Sequence, residues 1–231
     1  SGRDRRFYTA IVYDKCSWIG ETVELNLGGN LSAGVRDKED GGWYNTTTGY
    51  YWRKGNIENP TPRAYHNCQV ALHFNIVRLG EAYMNLAEAY LLKHDVPNAV
   101  KALNMTRTIH GGLSESTAAT EEEAWTDYIR ERNCELTNEG GDIYYSYLRW
   151  GKYGGYANHG RDAGDIIYDL DRPVYKMSSR RDRSKLLIAQ MTLNNSAQRK
   201  FTEKRYLLPI NQSFLNTREA YGLDHVQNKG W

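Results

Sequence analysis

Cysteine is scarce in this sequence, and its scarcity excludes a disulfide-stabilised fold. The chain of 231 residues has 3 cysteines, which lie far apart at Cys16, Cys68 and Cys134. An odd number prevents complete pairing within the chain. Cys134 falls in a segment with helical periodicity, where a small buried thiol is the usual role.

Long apolar runs and an excess of one charge are missing as well. No stretch approaches the roughly 20 apolar residues of a membrane-spanning helix, and the polar start, Ser1–Arg6, does not have the form of a signal peptide. The 30 basic and 28 acidic residues give a net charge of +2, so nucleic acid is not an expected partner. Because the sequence opens abruptly, we expect a fragment whose export signal lies upstream.

Motifs for metals, cofactors and common catalytic mechanisms are also missing. The 6 histidines show no paired spacing of the zinc type, and there is no G-x-S-x-G, P-loop or Rossmann signature. One acidic stretch lacks the pattern of a calcium loop and is expected to be solvated; its aspartates are Asp162, Asp165, Asp169 and Asp171. We therefore expect no metal, no cofactor and no enzyme activity.

Phenylalanine is rare, whereas its more polar aromatic relatives are abundant. There are 4 Phe against 18 Tyr and 6 Trp. Tyrosine and tryptophan combine a flat apolar face with a polar edge, which suits wet binding surfaces and the stacking of sugar rings. The alternative is that tyrosine replaces phenylalanine in a helical core with partly wet edges.

The clearest structural signal is a helix–turn–helix repeat between Ile76 and Thr108. Small and large residues occupy tetratricopeptide positions, with Tyr83, Leu86, Ala87 and Tyr90 in the first helix and Ala99 and Leu103 in the second. The period predicts an apolar face on the first helix made of Ile76, Leu79, Tyr83, Leu86 and Tyr90. Arg78, Glu81 and Glu88 are predicted to lie off that face.

Local signals define the turn and a third helix. Asp95 is a plausible N-cap, with Pro97 in the first turn of the second helix and Gly111-Gly112 closing it. Thr120 and Glu123 have the spacing of a capping box. The third helix is predicted to end at Gly140-Gly141, and its inner face is Trp125, Tyr128, Ile129, Arg132 and Leu136. A short helix is predicted for Tyr144–Trp150.

Outside the helical region the pattern is irregular. Phe7–Tyr13 is β-prone and is predicted to be a strand. Lys185–Leu193 fits either a short helix or a strand, and Leu207, Leu208 and Ile210 are expected to pack as an edge or extended docking segment. The predicted fold class is mainly α, a tetratricopeptide-like helical repeat scaffold with long irregular loops and a few short β-strands.

Charged residues flank the apolar stripes at helical spacing. Arg78 and Glu81 are three residues apart, as are Arg132 and Glu135, so each pair can interact within its own helix. We favour a network that ties helices together over a catalytic role, because helical proteins supply such carboxylate spacings by chance.

Seven motifs occur in an order that resembles a known family. They are RDRRF (Arg3–Phe7), TGYYWRK (Thr48–Lys54), VRLGEAYMNLAEAYL (Val77–Leu91), IRERNCELTNEG (Ile129–Gly140), LRW (Leu148–Trp150), LLPINQS (Leu207–Ser213) and QNKGW (Gln227–Trp231). Together they resemble the C-terminal half of the SusD/RagB family of outer-membrane nutrient-binding lipoproteins. The segment after Gly140 and the element Pro209–Ser213 depart from the family pattern, which places the chain on a divergent branch.

The resemblance implies an organisation and a role. Residues 1–231 correspond to the C-terminal half of a SusD/RagB-like domain, with an irregular and β-hairpin segment (1–65), a helical repeat (66–150), and loops with a C-terminal docking segment (151–231). The whole protein is expected at the cell surface, held in the outer membrane by a lipid anchor upstream of this chain. It is expected to capture oligosaccharides, without catalysis, for a SusC-like TonB-dependent transporter. Peptide capture is the alternative.

Aromatic residues in loops are the expected ligand contacts, because binding residues concentrate there. Trp43 and Tyr44, between Gly42 and Asn45, rank first, and Trp18 ranks second. The competing interpretation is that these rings cover the core or meet the transporter. Two other functions remain open: a helical-repeat adaptor, which one clear repeat disfavours, and a glycosidase, which requires paired carboxylates in a cleft.

Overall fold

The computed structural model divides the chain into two compact units. The first consists of Ser1–Ile143 with Pro173–Thr192, and the second of Tyr144–Arg172 with Leu193–Trp231. The residues that the structure describes are 3–18, 20–25, 29, 50–56, 75–150, 174–179, 186–191 and 203–231. Six α-helices and six short strands lie in these ranges, so the predicted mainly helical class with a few short strands is confirmed.

Three helices of the first unit form the predicted repeat and its neighbour. They are α2 (Leu79–Leu92), α3 (Val96–Ile109) and α4 (Glu121–Glu135), and each packs on the other two. The predicted caps are confirmed. Asp95 accepts a hydrogen bond from the Asn98 backbone N–H at the start of α3, and Thr120 and Glu123 form the complete capping box of α4.

The buried face of α2 differs from the predicted one. The helix buries Gly80, Met84, Ala87, Glu88 and Leu91. The predicted face was wrong, because Ile76, Leu79 and Leu86 are exposed. Helical spacing identifies apolar stripes, but α2 carries two of them on opposite sides. Only packing against α3 and α4 selects the stripe that contains the small residues, because these let the helix axes approach.

The inner face of α4 is confirmed in full, since Trp125, Tyr128, Ile129, Arg132 and Leu136 are all buried. The helix ends at Glu135, earlier than the predicted Gly140-Gly141. Both of these glycines have positive φ, a conformation that favours glycine, and they lead into α5 (Asp142–Arg149). The predicted helix at Tyr144–Trp150 is therefore confirmed and begins slightly earlier.

The N-terminal segment corrects another prediction. Arg5–Ala10 is a helix, α1, and only Ile11–Val12 is a strand, β1. The Asp4 carboxylate caps α1 by accepting from the Arg6 N–H, and the Arg6 guanidinium bonds to α4. These polar contacts override the β-propensity of the aromatic run, because such propensity is weak and depends on context.

Four two-residue strands complete what we call the N-terminal platform, which consists of α1 and β1–β4. β1 pairs with β4 (Tyr51–Trp52), and β2 (Ser17–Trp18) pairs with β3 (Glu21–Thr22), both antiparallel. Beneath them lies a small core of Val12, Cys16, Val23 and Leu25. An antiparallel hairpin, β5 (Val174–Ser179) with β6 (Leu186–Met191), also belongs to the first unit. Within the ambiguous segment 185–193, the described residues Leu186–Met191 are thus a strand.

The C-terminal end of the second unit has a 3-10 helix, Glu203–Tyr206, and a helix α6, Gln212–Ala220. The prediction that Leu207 and Leu208 pack was wrong, because both are exposed. The chain terminus binds the backbone of this segment instead. The Gln227 side chain donates to the Ile210 carbonyl and accepts from its N–H, and Trp231 Nε1 donates to the Leu207 carbonyl at 2.8 Å. These bonds satisfy the backbone without burying the leucines.

Candidate functional site

Trp18 lies at the edge of the N-terminal platform, where its ring is half-buried. It packs on the core of Val12, Cys16, Val23 and Leu25. The Arg53 guanidinium carbon lies 5.6 Å from the centre of the Trp18 ring, within the range of a cation–π contact. Trp18 therefore has a structural contact on the platform in addition to any ligand that it binds.

The other two predicted ligand residues, Trp43 and Tyr44, lie outside the described residues. The last continuously described residue before them is Leu25, Gly29 is described by itself, and the description resumes at Tyr50. Leu25 belongs to the platform core and its N–H donates to the Asp14 carboxylate at 2.8 Å. Tyr50 makes an edge contact with the Phe7 ring, with 6.1 Å between ring centres. The residues that flank the candidate segment on both sides are therefore fixed to the platform that carries Trp18.

An ion-pair cluster joins this platform to α4. We use that name for Asp4, Arg6, Lys54, Arg78, His110, Glu131, Glu135 and Glu139. At its centre Arg6 Nη1 lies 2.5 Å from Glu131 and 2.8 Å from Glu135, and Arg6 also bonds to Asp4. The two glutamate side chains are 1% exposed, so Arg6 neutralises charges that water does not reach.

A second arginine extends the cluster to α2. Arg78 donates to Glu135 and Glu139, and Lys54, just after β4, pairs with the same Glu139. Gly80 makes this approach possible: a Cβ at that position would overlap the Glu135 carboxylate and the Arg78 guanidinium. Gly80 thus leaves the space that the Arg78–Glu135 ion pair occupies.

The electrostatics of the cluster exclude Glu135 as a proton donor at neutral pH. Burial raises the pKa of Glu135, but hydrogen bonds from Arg78, Arg6 and His110 outweigh it and lower the pKa to about 2. Burial lowers the pKa of Arg6, and its bonds to Glu131 and Asp4 more than compensate, so its pKa is raised. The nearby Cys134 thiol has a pKa raised chiefly by burial, which disfavours the nucleophilic thiolate. A general acid needs a pKa near the working pH, so Glu135 is suited to a structural role and not to acid catalysis.

A separate polar network lies inside the repeat. The Tyr128 hydroxyl donates to Glu88 at 2.5 Å, and Arg132 donates to Tyr128 at 3.1 Å. Arg132 also bonds to Asp142 at 2.5 Å and to Asn85 at 2.8 Å. Glu88 lies off the predicted apolar stripe, as expected, but on the side of α2 that the fold buries, so its carboxylate is buried and bound. Burial raises the pKa of Tyr128, which keeps its hydroxyl protonated as a donor.

The predicted network between helices is confirmed, although its pairing differs from the helical spacing. Arg78 bonds to Glu135 at the end of α4 and to Glu139 just after it. The prediction had paired Arg78 with Glu81 of its own helix. The prediction missed Arg6, Lys54 and His110 altogether. No local signal could have found Arg6, because its partners are 125 and 129 residues away in sequence.

Comparison with known proteins identifies this architecture. A sequence profile described as the SusD family matches residues 1–231. The chain belongs to the SusD family. A solved SusD-like protein from Bacteroides fragilis NCTC 9343 matches 100% of this chain with a TM-score of 0.71 and 23% identity. A second solved structure, BT4246, matches 100% of it with a TM-score of 0.61 and 21% identity. No curated protein matches the chain.

This SusD-family chain spans only part of its structural relatives. It covers 40% of the B. fragilis chain and 37% of BT4246. At these identities the likeness shows the fold, and the tetratricopeptide-like helical scaffold is confirmed. Among the described residues, no helix is both long and apolar enough to cross a membrane, and no cluster of His, Cys, Asp and Glu is placed to hold a metal ion.

Proposed function

We propose that the full-length protein captures oligosaccharides at the cell surface and delivers them to a SusC-like TonB-dependent outer-membrane transporter, without catalysing a reaction. The observation that carries this proposal is the match of the SusD family over the whole chain. A lipid anchor upstream of this chain would hold the protein at the outer membrane. Membership of the family supports a nutrient-binding role at the outer membrane.

The carboxylates of the ion-pair cluster fit a structural role better than a catalytic one. Glycoside hydrolysis requires one carboxylic acid that is protonated at the working pH. In the ion-pair cluster, Glu135 has a low pKa, and the pKa of Glu139 is also lowered, because bonds from Arg78 and Lys54 outweigh its burial. These carboxylates are held ionised between cations, an arrangement that stabilises helix contacts.

We assign the ligand contacts to Trp43, Tyr44 and the platform residue Trp18. A pyranose ring presents C–H groups that pack on an aromatic face, while its hydroxyls bind neighbouring polar groups. Trp43 and Tyr44 contribute most in this proposal. Trp18 contributes less, because its ring already contacts Arg53 and the platform core.

The test is calorimetric titration of the full-length protein with a panel of soluble polysaccharides and with a peptide mixture. Saturable binding of one glycan class with no release of reducing ends supports the proposal. Binding of peptides without binding of any glycan would support the alternative function, peptide import. Turnover of any bound glycan overturns the non-catalytic assignment.

The ligand residues are tested with matched tryptophan variants. Trp43→Ala and Tyr44→Ala are expected to abolish detectable binding, whereas Trp18→Phe, which preserves packing on the platform core, is expected to weaken it. Trp52→Ala is the control, since Trp52 is a half-exposed aromatic on the same platform. Binding that survives Trp43→Ala and Tyr44→Ala together would place the site elsewhere in the full-length protein.

A further inference from the structure

Four aromatic residues of the N-terminal platform and its flank gather around Phe7. The centre of the Phe7 ring lies 5.5 Å from that of Tyr8, 5.3 Å from that of Tyr13 and 6.1 Å from that of Tyr50. All four residues are half-buried, and we call them the tyrosine cluster. Tyr8 meets both Phe7 and Tyr13 edge to face. In such a pair the ring that offers its edge keeps its faces free of that partner.

The hydroxyls of the tyrosine cluster differ from that of a structural tyrosine. The buried Tyr128 hydroxyl donates to Glu88 at 2.5 Å and accepts from Arg132 at 3.1 Å. Within the described part of the chain, the hydroxyls of the tyrosine cluster form no hydrogen bond. A tyrosine hydroxyl is both a donor and an acceptor, so the cluster offers three such groups to water or to a polar ligand.

A positive charge lies over the tyrosine cluster. The guanidinium carbon of the exposed Arg3 is 5.0 Å from the centre of the Phe7 ring. The adjacent Asp4 does not neutralise Arg3, because both of its carboxylate oxygens bind the Arg6 guanidinium, at 2.9 and 2.6 Å. Among the described residues, Arg3 has no ion pair and no hydrogen bond. Its planar set of N–H donors can therefore bind an oxyanion in the two-point manner that arginine favours.

The tyrosine cluster adjoins Trp18, to which we have assigned a ligand contact. The Arg53 guanidinium carbon lies 5.6 Å from the centre of the Trp18 ring, and its Nη1 donates to the Tyr8 backbone carbonyl at 3.5 Å. Tyr13 and Trp18 also pack on the same platform core. Because Arg53 borders both aromatic surfaces, neighbouring sugar residues of one oligosaccharide can contact the two.

We propose that the tyrosine cluster and Arg3 form a subsite for an acidic sugar residue, one that carries a carboxylate or a sulfate group. This inference rests on the proposed function, because it names the class of oligosaccharide that the protein captures. The C–H face of the sugar packs on the rings, its hydroxyls bind those of the tyrosines, and its anionic group accepts hydrogen bonds from Arg3. An acidic peptide would satisfy Arg3 but offers few groups to the three hydroxyls.

The test is calorimetric titration of the full-length protein with two matched pairs of oligosaccharides. Oligogalacturonides, which carry carboxylates, are compared with their neutral methyl esters, and sulfated carrageenan oligosaccharides are compared with their desulfated forms. One acidic probe is expected to bind about tenfold more tightly than its neutral counterpart, as for a charge-assisted pair. The pair that shows this preference identifies the anionic group, and the preference should shrink as salt is added.

A charge variant locates the subsite. Arg3→Gln is expected to weaken binding of the acidic probe about tenfold and to leave the neutral counterpart unaffected. Arg5→Gln is the matched control, because Arg5 is also exposed but its guanidinium lies against Gly112. The control variant should bind both members of the pair as wild type does.

The hydroxyls are tested with variants that retain the rings. Tyr8→Phe, Tyr13→Phe and Tyr50→Phe combined are expected to weaken binding of both members of the pair about tenfold, since each hydrogen bond contributes modestly. Tyr90→Phe is the control, because Tyr90 is a half-buried tyrosine of α2 outside the cluster. An unchanged affinity in the triple variant would contradict the proposal.

Tyrosine nitration of the wild-type protein gives a readout that does not depend on the folding of variants. In the full-length protein, Tyr8, Tyr13 and Tyr50 are expected to react with tetranitromethane and to be protected by the saturating acidic probe, as read by peptide mass spectrometry. Tyr128, which is 0% exposed, should stay unreactive throughout. Cluster tyrosines that do not react in the absence of the probe would be covered by other parts of the polypeptide, which overturns the proposal.

The remaining outcomes separate this inference from the proposed function. Equal affinity for acidic and neutral glycans, or an acidic preference that survives Arg3→Gln, overturns the subsite and leaves glycan capture standing. Absence of binding to every glycan overturns both. Binding of hexaglutamate that depends on Arg3, without binding of either acidic glycan, would assign the cluster to acidic peptides and also overturns the proposal.

Discussion

The interior of the helical repeat and its junction with the N-terminal platform are held by different forces. Met84, Leu91 and Leu103 are 0% exposed within α2–α4, and their contribution is apolar burial. At the junction, Arg6 joins Glu131 and Glu135, and Lys54 joins Glu139. Apolar burial is non-directional and tolerates small shifts, whereas buried ions need every partner in place.

The two regions are therefore expected to lose stability under different conditions. The apolar positions of the repeat interior, such as Leu103, should respond to changes in volume and little to pH. The junction should respond to the loss of one charge and to acid. The platform also carries Trp18, so the junction sets where this proposed ligand contact stands relative to the repeat.

The largest effect is expected from a cavity in the interior. Leu103→Ala should lower the free energy of unfolding by about 2 to 5 kcal/mol, because it combines lost burial with an unfilled cavity. Urea unfolding of the 231-residue chain measures it. Leu79→Ala is the control and should cost less than about 0.5 kcal/mol there, since Leu79 is exposed. Equal losses in the free energy of unfolding for Leu103→Ala and Leu79→Ala would show that burial of Leu103 does not stabilise the repeat more than an exposed leucine does.

Acid should weaken the junction through Glu135. The pKa of this carboxylate is about 2 in the folded protein against an ordinary value of 4.5. Because the pKa is lower in the folded than in the unfolded chain, the ionised carboxylate stabilises the fold above about pH 4.5. This stabilisation is lost as the pH falls from about 4.5 to about 2. One pKa unit corresponds to about 1.4 kcal/mol, so the full effect is on the order of 3 kcal/mol.

The measurement is urea unfolding of wild type and Glu135→Gln between pH 7 and pH 2. The stability gap between them is expected to be widest at pH 7 and to close as the carboxylate of the wild type takes up its proton. Glu122→Gln in the exposed first turn of α4 is the control. A gap that stays constant over this range would show that the charge of Glu135 does not stabilise the fold.

Removal of the Arg6 charge should open the junction before the repeat unfolds. Arg6→Met retains an aliphatic side chain but leaves Glu131 with its Thr106 bond and without its arginine. A loss of about 2 to 3 kcal/mol is expected, near the lower end for a broken buried pair. Hydrogen exchange should speed up at Ile11 and Val12 more than at Leu103.

The neighbouring arginine supplies the control for this prediction. Arg5 lies in the same helix but is exposed, so Arg5→Met should leave exchange at Val12 nearly unchanged. Uniform acceleration at Val12 and Leu103 in the Arg6 variant would mean that platform and repeat unfold as one cooperative body.

A substitution that favours helix formation should nevertheless destabilise α2. Gly80→Ala improves helix propensity by about 1 kcal/mol. However, the added Cβ would overlap the Glu135 carboxylate and the Arg78 guanidinium, and overpacking typically costs about 1 to 3 kcal/mol. A net loss of about 1 kcal/mol is expected by thermal unfolding. Stabilisation would show that Arg78 moves aside freely.

The smallest effect is expected at the exposed start of α4, outside the buried interior and the junction. Thr120→Ala removes the hydroxyl that accepts from the Glu123 N–H and should cost about 1 kcal/mol, as for other N-caps. Thr120→Asn, which retains a capping acceptor, should restore most of the stability. Thermal unfolding of the three proteins decides whether the cap contributes.

Patterns confined to a few residues predicted the structure well. The caps at Asp95 and Thr120 and the inner face of α4 are as predicted, because each depends on neighbours within one or two turns. Phe7–Tyr13 was predicted wrongly because its β-propensity is weaker than the cap at Asp4 and the bonds of Arg6. Leu207 and Leu208 are exposed, and their carbonyls accept hydrogen bonds from Trp231 and Asn228, which lie 24 and 20 residues later in the sequence.

Periodicity and motif order are local or linear properties, so the helical repeat, the caps of α3 and α4 and the SusD family follow from the amino-acid sequence. The buried side of α2 and the carboxylates that bind Arg6 and Arg78 depend on how the folded elements pack. The physical reason is that two sides of one helix can be equally apolar, and a charged group can find a partner more than a hundred residues away. Such choices are made by packing and by the need to neutralise buried charge, and neither has a local signature.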